Sequence, residues 1–158
     1  MALVAEKNTE AKLVIPGANT SATLKLIELA RKLEMADRVI FTGPITQASL
    51  WRLYENAAVY IFTSPKEDLG IVVQEAQATG TPVVAWKAGG PTVTVVDKKT
   101  GFLVKPFDKR KMAERVLSLL NNPKVRDKMG YQAWEHVKNN FSWERHIDIL
   151  EKEFKKSP

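Results

Sequence analysis

The chain has 158 residues, of which 44% are hydrophobic and 27% charged, with a net charge of +6; this balance suits one soluble domain large enough for a real core. No apolar run approaches the roughly 20 residues of a spanning helix, and with no cysteine, disulfides and thiolate chemistry are excluded. Residues 1–97 hold 9 Lys/Arg against 10 Asp/Glu, whereas residues 98–158 hold 15 against 8, so the positive surplus sits in the last third. Its plainest reading is a set of solvated helix faces; phosphate or an acidic membrane surface is what such a surplus would otherwise meet. There is no aromatic-basic RNP pattern, zinc-finger spacing or lysine block, and nucleic acid is not expected as a partner. The opening MALVAEKNTE has no basic n-region or apolar h-region, which reads as no signal peptide and a cytoplasmic protein, with peripheral membrane contact left open.

In chain order, residues 2–8 read as the end of a helix and Ala11 to Ile15 as a short buried strand. Leu26, Ala30 and Leu33, with Leu29 beside them, recur at helical spacing and predict an amphipathic helix over 21–36. Arg38 to Thr42 reads as the next strand, closed by Gly43-Pro44. Thr46 caps a helix whose apolar face is Leu50, Leu53, Tyr54 and Ala57. Val59 to Phe62 is a strand that stops at Thr63-Ser64-Pro65. A loop with Glu67, Asp68, Leu69 and Gly70 follows, then an apolar helix carrying Glu75 and ended by Gly80-Thr81-Pro82. Val83 to Trp86 is a second β-branched run, and Gly89-Gly90-Pro91 a turn. This is a parallel βαβ unit with its loops at the strands' carboxyl ends, the edge where open α/β sheets bind ligands.

Val93 to Val96 is ambiguous, and Phe102 to Val104 a last short strand. Asp108 caps a helix on Met112, Val116, Leu119 and Leu120; residues 124–139 carry Val125, Met129, Ala133 and Val137 at a spacing of four. Ser142 caps a final helix with Trp143, Ile147, Leu150 and Phe154 in one stripe. The fold class is therefore α/β: a Rossmann-like parallel sheet flanked by helices, followed by C-terminal helices.

The chemistry gathers in the central stretch. Glu67 and Glu75 have seven residues between them, with Gly70 among these. A helix opening near Gly70 offers free N–H groups to an anion. Glu67 then stands in the loop above, and Glu75 about one and a half turns into the helix. Glu75 is an odd residue among Ile71, Val72, Val73, Ala76 and Ala78; a partly buried carboxylate needs donors, and sugar hydroxyls supply them. On spacing alone the plainer reading leads: Glu75 as an exposed helix position and Glu67 as a loop residue. Gly89-Gly90 reads either as a simple turn or as a close backbone approach to phosphate. His136 and His146 stand alone, so neither a metal site nor a triad is expected.

The segments FTG, TSPKEDLG, VVQEAQATGTPVVAWKAGGP and DKKTGFLV, in one unbroken order, resemble the retaining GT-B glycosyltransferases of family 4. The resemblance extends over nearly the whole chain and implies a single nucleotide-sugar-binding domain over 1–158. Residues 1–107 would form its sheet part and 108–158 its terminal helices. It implies a nucleotide diphosphate sugar as donor, with Glu75 bonding the ribose hydroxyls and Glu67, the residue placed at the catalytic centre, bonding the transferred hexose. Asp68, Leu69, Gly70 and Ile71 would line the donor's sugar and phosphates, and Gly43, Pro44 and Ile45 would lie under the base. No metal or cofactor is implied; charge and helix ends would neutralise the departing diphosphate, in the service of carbohydrate biosynthesis. The family's domain opens with a strand and a G-R…K-G stretch that have no counterpart here, and Asp68-Leu69 replaces the usual Pro-Phe. Val93 stands where Glu is usual and Ala58 where Asp is. Two functions follow as expectations: the donor-binding part of a glycosyltransferase, inactive alone, or a non-catalytic module that binds a nucleotide or a protein. The absent strand is expected to be central, so its neighbours AKLVI and VYIF should close up and pair, or another segment or a second copy should supply a strand.

Overall fold

The computed structural model describes residues 1–156. A single helical turn, α1 (Ala2–Ala5), leads into strand β1 (Leu13–Pro16) and helix α2 (Ser21–Lys32). Thr20 and Thr23 close a reciprocal cap at the start of α2, each side chain accepting from the other's backbone N–H at 3.4 and 3.1 Å. The helix stops four residues short of the expected end: Glu34 turns left-handed at φ 55°, and a 3-10 turn over Ala36–Arg38 delivers the chain to β2 (Val39–Gly43). β1 and β2 run parallel, Leu13 opposite Val39 and Ile15 opposite Phe41, with a register shift at Pro16, which has no N–H to contribute.

The rest of the sheet is β3 (Tyr60–Phe62), β4 (Val83–Trp86) and β5 (Gly101–Val104), parallel, with β4 in the middle. Helices α3 (Gln47–Asn56) and α4 (Ile71–Ala78) flank β3 in the chain. The ambiguous stretch before β5 is helical, a short α5 over Pro91–Thr94, because Pro91 with its preset φ opens it. α6 (Lys109–Leu120), α7 (Pro123–Asn140) and α8 (Trp143–Phe154) complete the order. Thr46, Asp108 and Ser142 cap α3, α6 and α8 as their positions predict, accepting from Ser49, Lys111 and Arg145 N–H.

β4 shows why the sequence packs this way. Val83, Val84 and Ala85 are all fully buried, the mark of a strand covered on both faces. Val84 points with Phe102 and Val104 into a core closed by Met112, Val116 and Leu119 of α6, Met129 of α7 and Val4 of α1. Val83 and Ala85 point the other way, toward Tyr54, Phe62, Val73, Ala76 and Val95. Between sheet and helices, the buried Gln77 amide donates to Thr100 Oγ1 at 3.1 Å, and Thr100 Oγ1 also accepts from Val96 N–H at 2.9 Å. This ties α4 to the turn before β5.

One expected pairing is absent, and two apolar stripes lie open. β1 and β3 do not close up: the strands form separate sheets of two and three, so each of these neighbours keeps one unpaired edge. The stripe of α2 is mostly uncovered; Ala30 is buried, but Leu26, Leu29 and Leu33 are 44–50% exposed. The stripe of α8 is uncovered too, with Trp143 and Phe154 exposed. The two open stripes have one cause, for periodicity marks which face seeks cover and cannot say whether cover is present. No helix among the described residues is long and apolar enough to cross a membrane.

Alternate N–H groups of β1 and β3 point at their unpaired edges. In hydrogen exchange these should be unprotected, while every β4 amide from Val83 to Trp86 exchanges near the global limit. Uniform protection along β1 and β3 would show that something pairs with both edges.

Candidate functional site at the carboxyl edge of the sheet

After β3 the chain runs through Thr63-Ser64-Pro65 to Gly70, which takes the left-handed conformation (φ 72°, ψ 48°) at the cap of α4. Glycine suits that turn because no Cβ opposes it. Gly70 O accepts from Val73 N–H at 2.8 Å, while Gly70 N–H donates to Glu67 Oε1 at 3.3 Å. Glu67 is thus held against its own helix start with Oε2 left over. The first-turn N–H groups of Ile71 and Val72 have no acceptor among the described residues. Asp68, Leu69 and Ile71 are exposed around this end, and Glu67 is half-buried.

The paired glycines after β4 turn out to face protein. A Cβ on Gly89 would lie 2.1 Å from Glu67 O, and one on Gly90 would lie 2.2 Å from the Leu69 carbonyl. Gly90 N–H donates to Glu67 O at 2.7 Å. Of the two readings offered for Gly89-Gly90, the structure supplies a close backbone approach on the Cβ side, and its object there is the loop of Glu67 to Leu69. The glycines serve to let two backbones touch.

Glu75 lies one turn into α4, half-buried. The Tyr54 hydroxyl, from α3, donates to Glu75 Oε2 at 3.3 Å. Tyr54 also meets Tyr60 edge to face, with ring centroids 5.4 Å apart. Burial raises the pKa of both phenols, Tyr54 further by its neighbours Tyr60 and Glu75, and Tyr60 by Glu75. Both therefore stay protonated, and Tyr54 meets the carboxylate as a donor. The tyrosines were missed as members of the site. For Tyr54 the signal was a hydroxyl-bearing residue in the apolar face of a predicted helix; Tyr60, in the strand that follows, gave none.

Gly43, Pro44 and Ile45 lie at the carboxyl end of β2, where Gly43 is left-handed at φ 68° and its carbonyl accepts from Gly17 N–H at 3.1 Å. They belong to the two-stranded sheet, whereas Glu67 to Ile71 follow a strand of the other. Ala58 lies at the opposite edge, in a cleft of about 430 Å³ with Glu55, Gly80 and Arg126, and Val93 is exposed on α5.

A parallel sheet with helices on its faces and a bare helix N-terminus at its carboxyl edge is the build of an open α/β fold. A family model, glycosyl transferases group 1, matches residues 1–136. A D-inositol 3-phosphate glycosyltransferase of Corynebacterium diphtheriae is 39% identical over 136 residues, 86% of this chain and 32% of that protein. Another, from Streptomyces avermitilis, is 37% identical over 83% of this chain and 29% of its own length. Among solved structures, a mutant of S. aureus TarM in complex with fondaparinux, alpha-GlcNAc-glycerol and UDP superposes with a TM-score of 0.88 and 26% identity, covering 98% of this chain and 30% of that one. Sucrose-phosphate synthase from Thermosynechococcus elongatus gives 0.84 and 28%, covering 99% of this chain and 42% of that one. The chain belongs to the group 1 glycosyl transferases, and it spans about a third of the length of the curated relatives it matches.

Replacing Gly90 by Ala drives a methyl into the Leu69 carbonyl. It should cost about 1–3 kcal/mol of stability. Val93→Ala, two positions from that turn and 69% exposed, should change stability by less than about 0.5 kcal/mol. Denaturant melts of the two variants make the comparison, and equal midpoints would remove the loop contact from the account.

Proposed function

We propose that this chain is the donor-binding part of a retaining family 4 glycosyltransferase, taking a nucleotide diphosphate sugar whose hexose goes to an acceptor. The observation that carries the reading is the placing of two carboxylates about a bare helix end. Glu67 and Glu75 lie to either side of the free N–H groups of Ile71 and Val72. The diphosphate would meet that helix end, where partial positive charge and unpaired donors favour an anion and stabilise it as it departs. Glu75, steadied on one oxygen by Tyr54, would accept from the ribose hydroxyls. Glu67, steadied on one oxygen by Gly70 N–H, would accept from hydroxyls of the transferred sugar. Asp68, Leu69 and Ile71 would flank the sugar, and Gly43 to Ile45 would lie under the base. The resemblance to inositol phosphate glycosyltransferases and to a structure with UDP bound supports the donor class. No metal enters this reading. The unpaired edges of β1 and β3 would be filled by a strand from another segment or a partner chain.

Titration calorimetry separates the two carboxylates. Glu75→Ala should weaken nucleoside diphosphate binding by roughly 1.5–3 kcal/mol, tenfold or more. Glu67→Ala should leave the free diphosphate almost unchanged and weaken the intact nucleotide sugar. Equal losses on both ligands in both variants would end the assignment.

The chain alone should transfer no sugar, since positioning of the acceptor supplies much of the rate at such a site. An assay with several nucleotide sugars and a broad acceptor mixture checks this. Turnover above the protein-free blank would contradict it.

A further inference from the structure

At the edge of the sheet opposite α4's N-terminus, two pairs of lysines converge on one cleft. Lys98 and Lys99 project from the turn that opens β5; Lys124 and Lys128 lie one helical turn apart at the start of α7. The cleft measures about 480 Å³, has Val125, Met129 and Gln132 as its other walls, and no carboxylate lines it. None of the four lysines takes part in an ion pair among the described residues.

Both walls are held by buried structure. Thr100, fully buried and bonded to Gln77, fixes the turn that carries Lys98 and Lys99. On the other side Met129 is 4% exposed in the core, and Gly130 lies against Gly80 so closely that an added Cβ would be 2.0 Å from its carbonyl oxygen. The lysine stems thus start from fixed backbones, which lowers the ordering cost of binding. α7 adds to the charge: Asn122 makes no side-chain cap, so the first N–H groups of an 18-residue helix stay open on the side of Lys124. Like charges one turn apart repel. His136, further along α7, feels the same field; burial lowers its pKa first, and Lys99 lowers it further. Four unpaired ammonium groups about one cleft carry a self-repulsion that a multiply charged anion removes.

We propose that this cleft binds a phosphate-bearing anion, at a site separate from the donor edge. The shared chemistry is a phosphate group clamped between Lys98/Lys99 and Lys124/Lys128, with its substituent over Val125 and Met129. That group can come from a soluble phosphate ester or from an acidic lipid headgroup.

The test uses the chain with two probes. Inorganic pyrophosphate is followed by amide chemical shifts; vesicles of phosphatidylcholine, with or without one part in three of phosphatidylglycerol, are followed by co-sedimentation. Lys124→Gln with Lys128→Gln is the variant, and Lys152→Gln with Lys155→Gln on α8 is the control. All four positions are exposed, and thermal melts verify that both proteins fold. Pyrophosphate should shift amides of residues 98–101 and 124–132, with an apparent Kd raised about tenfold in the variant and unchanged in the control. Sedimentation with the phosphatidylglycerol vesicles alone, lost in the variant, identifies a headgroup as the source; shifts without sedimentation identify a soluble ester. If neither probe acts at these residues, if pyrophosphate shifts only Gly70 to Val73, or if the variant matches the control, the proposal is overturned.

Discussion

Everything at the carboxyl edge depends on one place where two loops touch backbone to backbone. Gly90 donates to Glu67 O at 2.7 Å, and neither Gly89 nor Gly90 has room for a side chain. The loop after β4 thereby fixes the height of the loop after β3. That height fixes where α4 begins, which decides where its open N–H groups, Glu67 and Glu75 stand. Pro91 continues the contact, its ring placed where a Cβ on Gly70 would meet it at 3.6 Å. A strand order that puts β3 beside β4 is what brings the two loops together. The local geometry of the site is therefore a product of sheet topology.

Much of this could be read from the chain. The alternation of apolar runs with Thr, Asp and Ser caps placed nearly every element, because caps and turn residues act through groups only a few residues away. Glu75 was legible as an anomaly, a carboxylate in an apolar helix. What could not be read is whatever rests on distant partners. No local rule says that Gly89 and Gly90 face Glu67 and Leu69 rather than a ligand, or that Tyr54 reaches Glu75 across 21 positions of sequence. Leu26, Leu29 and Leu33 announce a face in need of cover in the same way whether or not the cover exists. Spacing alone favoured two solvated glutamates, and the expectation of two binding ones came from the family resemblance.

Charge is divided between the two edges of the sheet. At the carboxyl edge, backbone N–H groups at a helix end offer partial charges beside the carboxylates of Glu67 and Glu75. In the lysine cleft at the amino edge, full ammonium charges gather with no carboxylate in the lining. Salt acts differently on the two. Exposed lysines are screened within about 8–10 Å at ordinary ionic strength, whereas short hydrogen bonds to a partly enclosed carboxylate are affected little.

Helix α4 is held at both of its ends by backbone contacts that glycine makes feasible: Leu69 against Gly90 before its first turn, and Gly80 against Gly130 after its last. A rod clamped at either end cannot slide along its axis without breaking close-packed contacts. Its N-terminus is consequently a fixed anvil. A ligand proposed for that end would be met by side-chain and loop adjustment, with no piston stroke of the helix, so the surface offered would be a preformed mould.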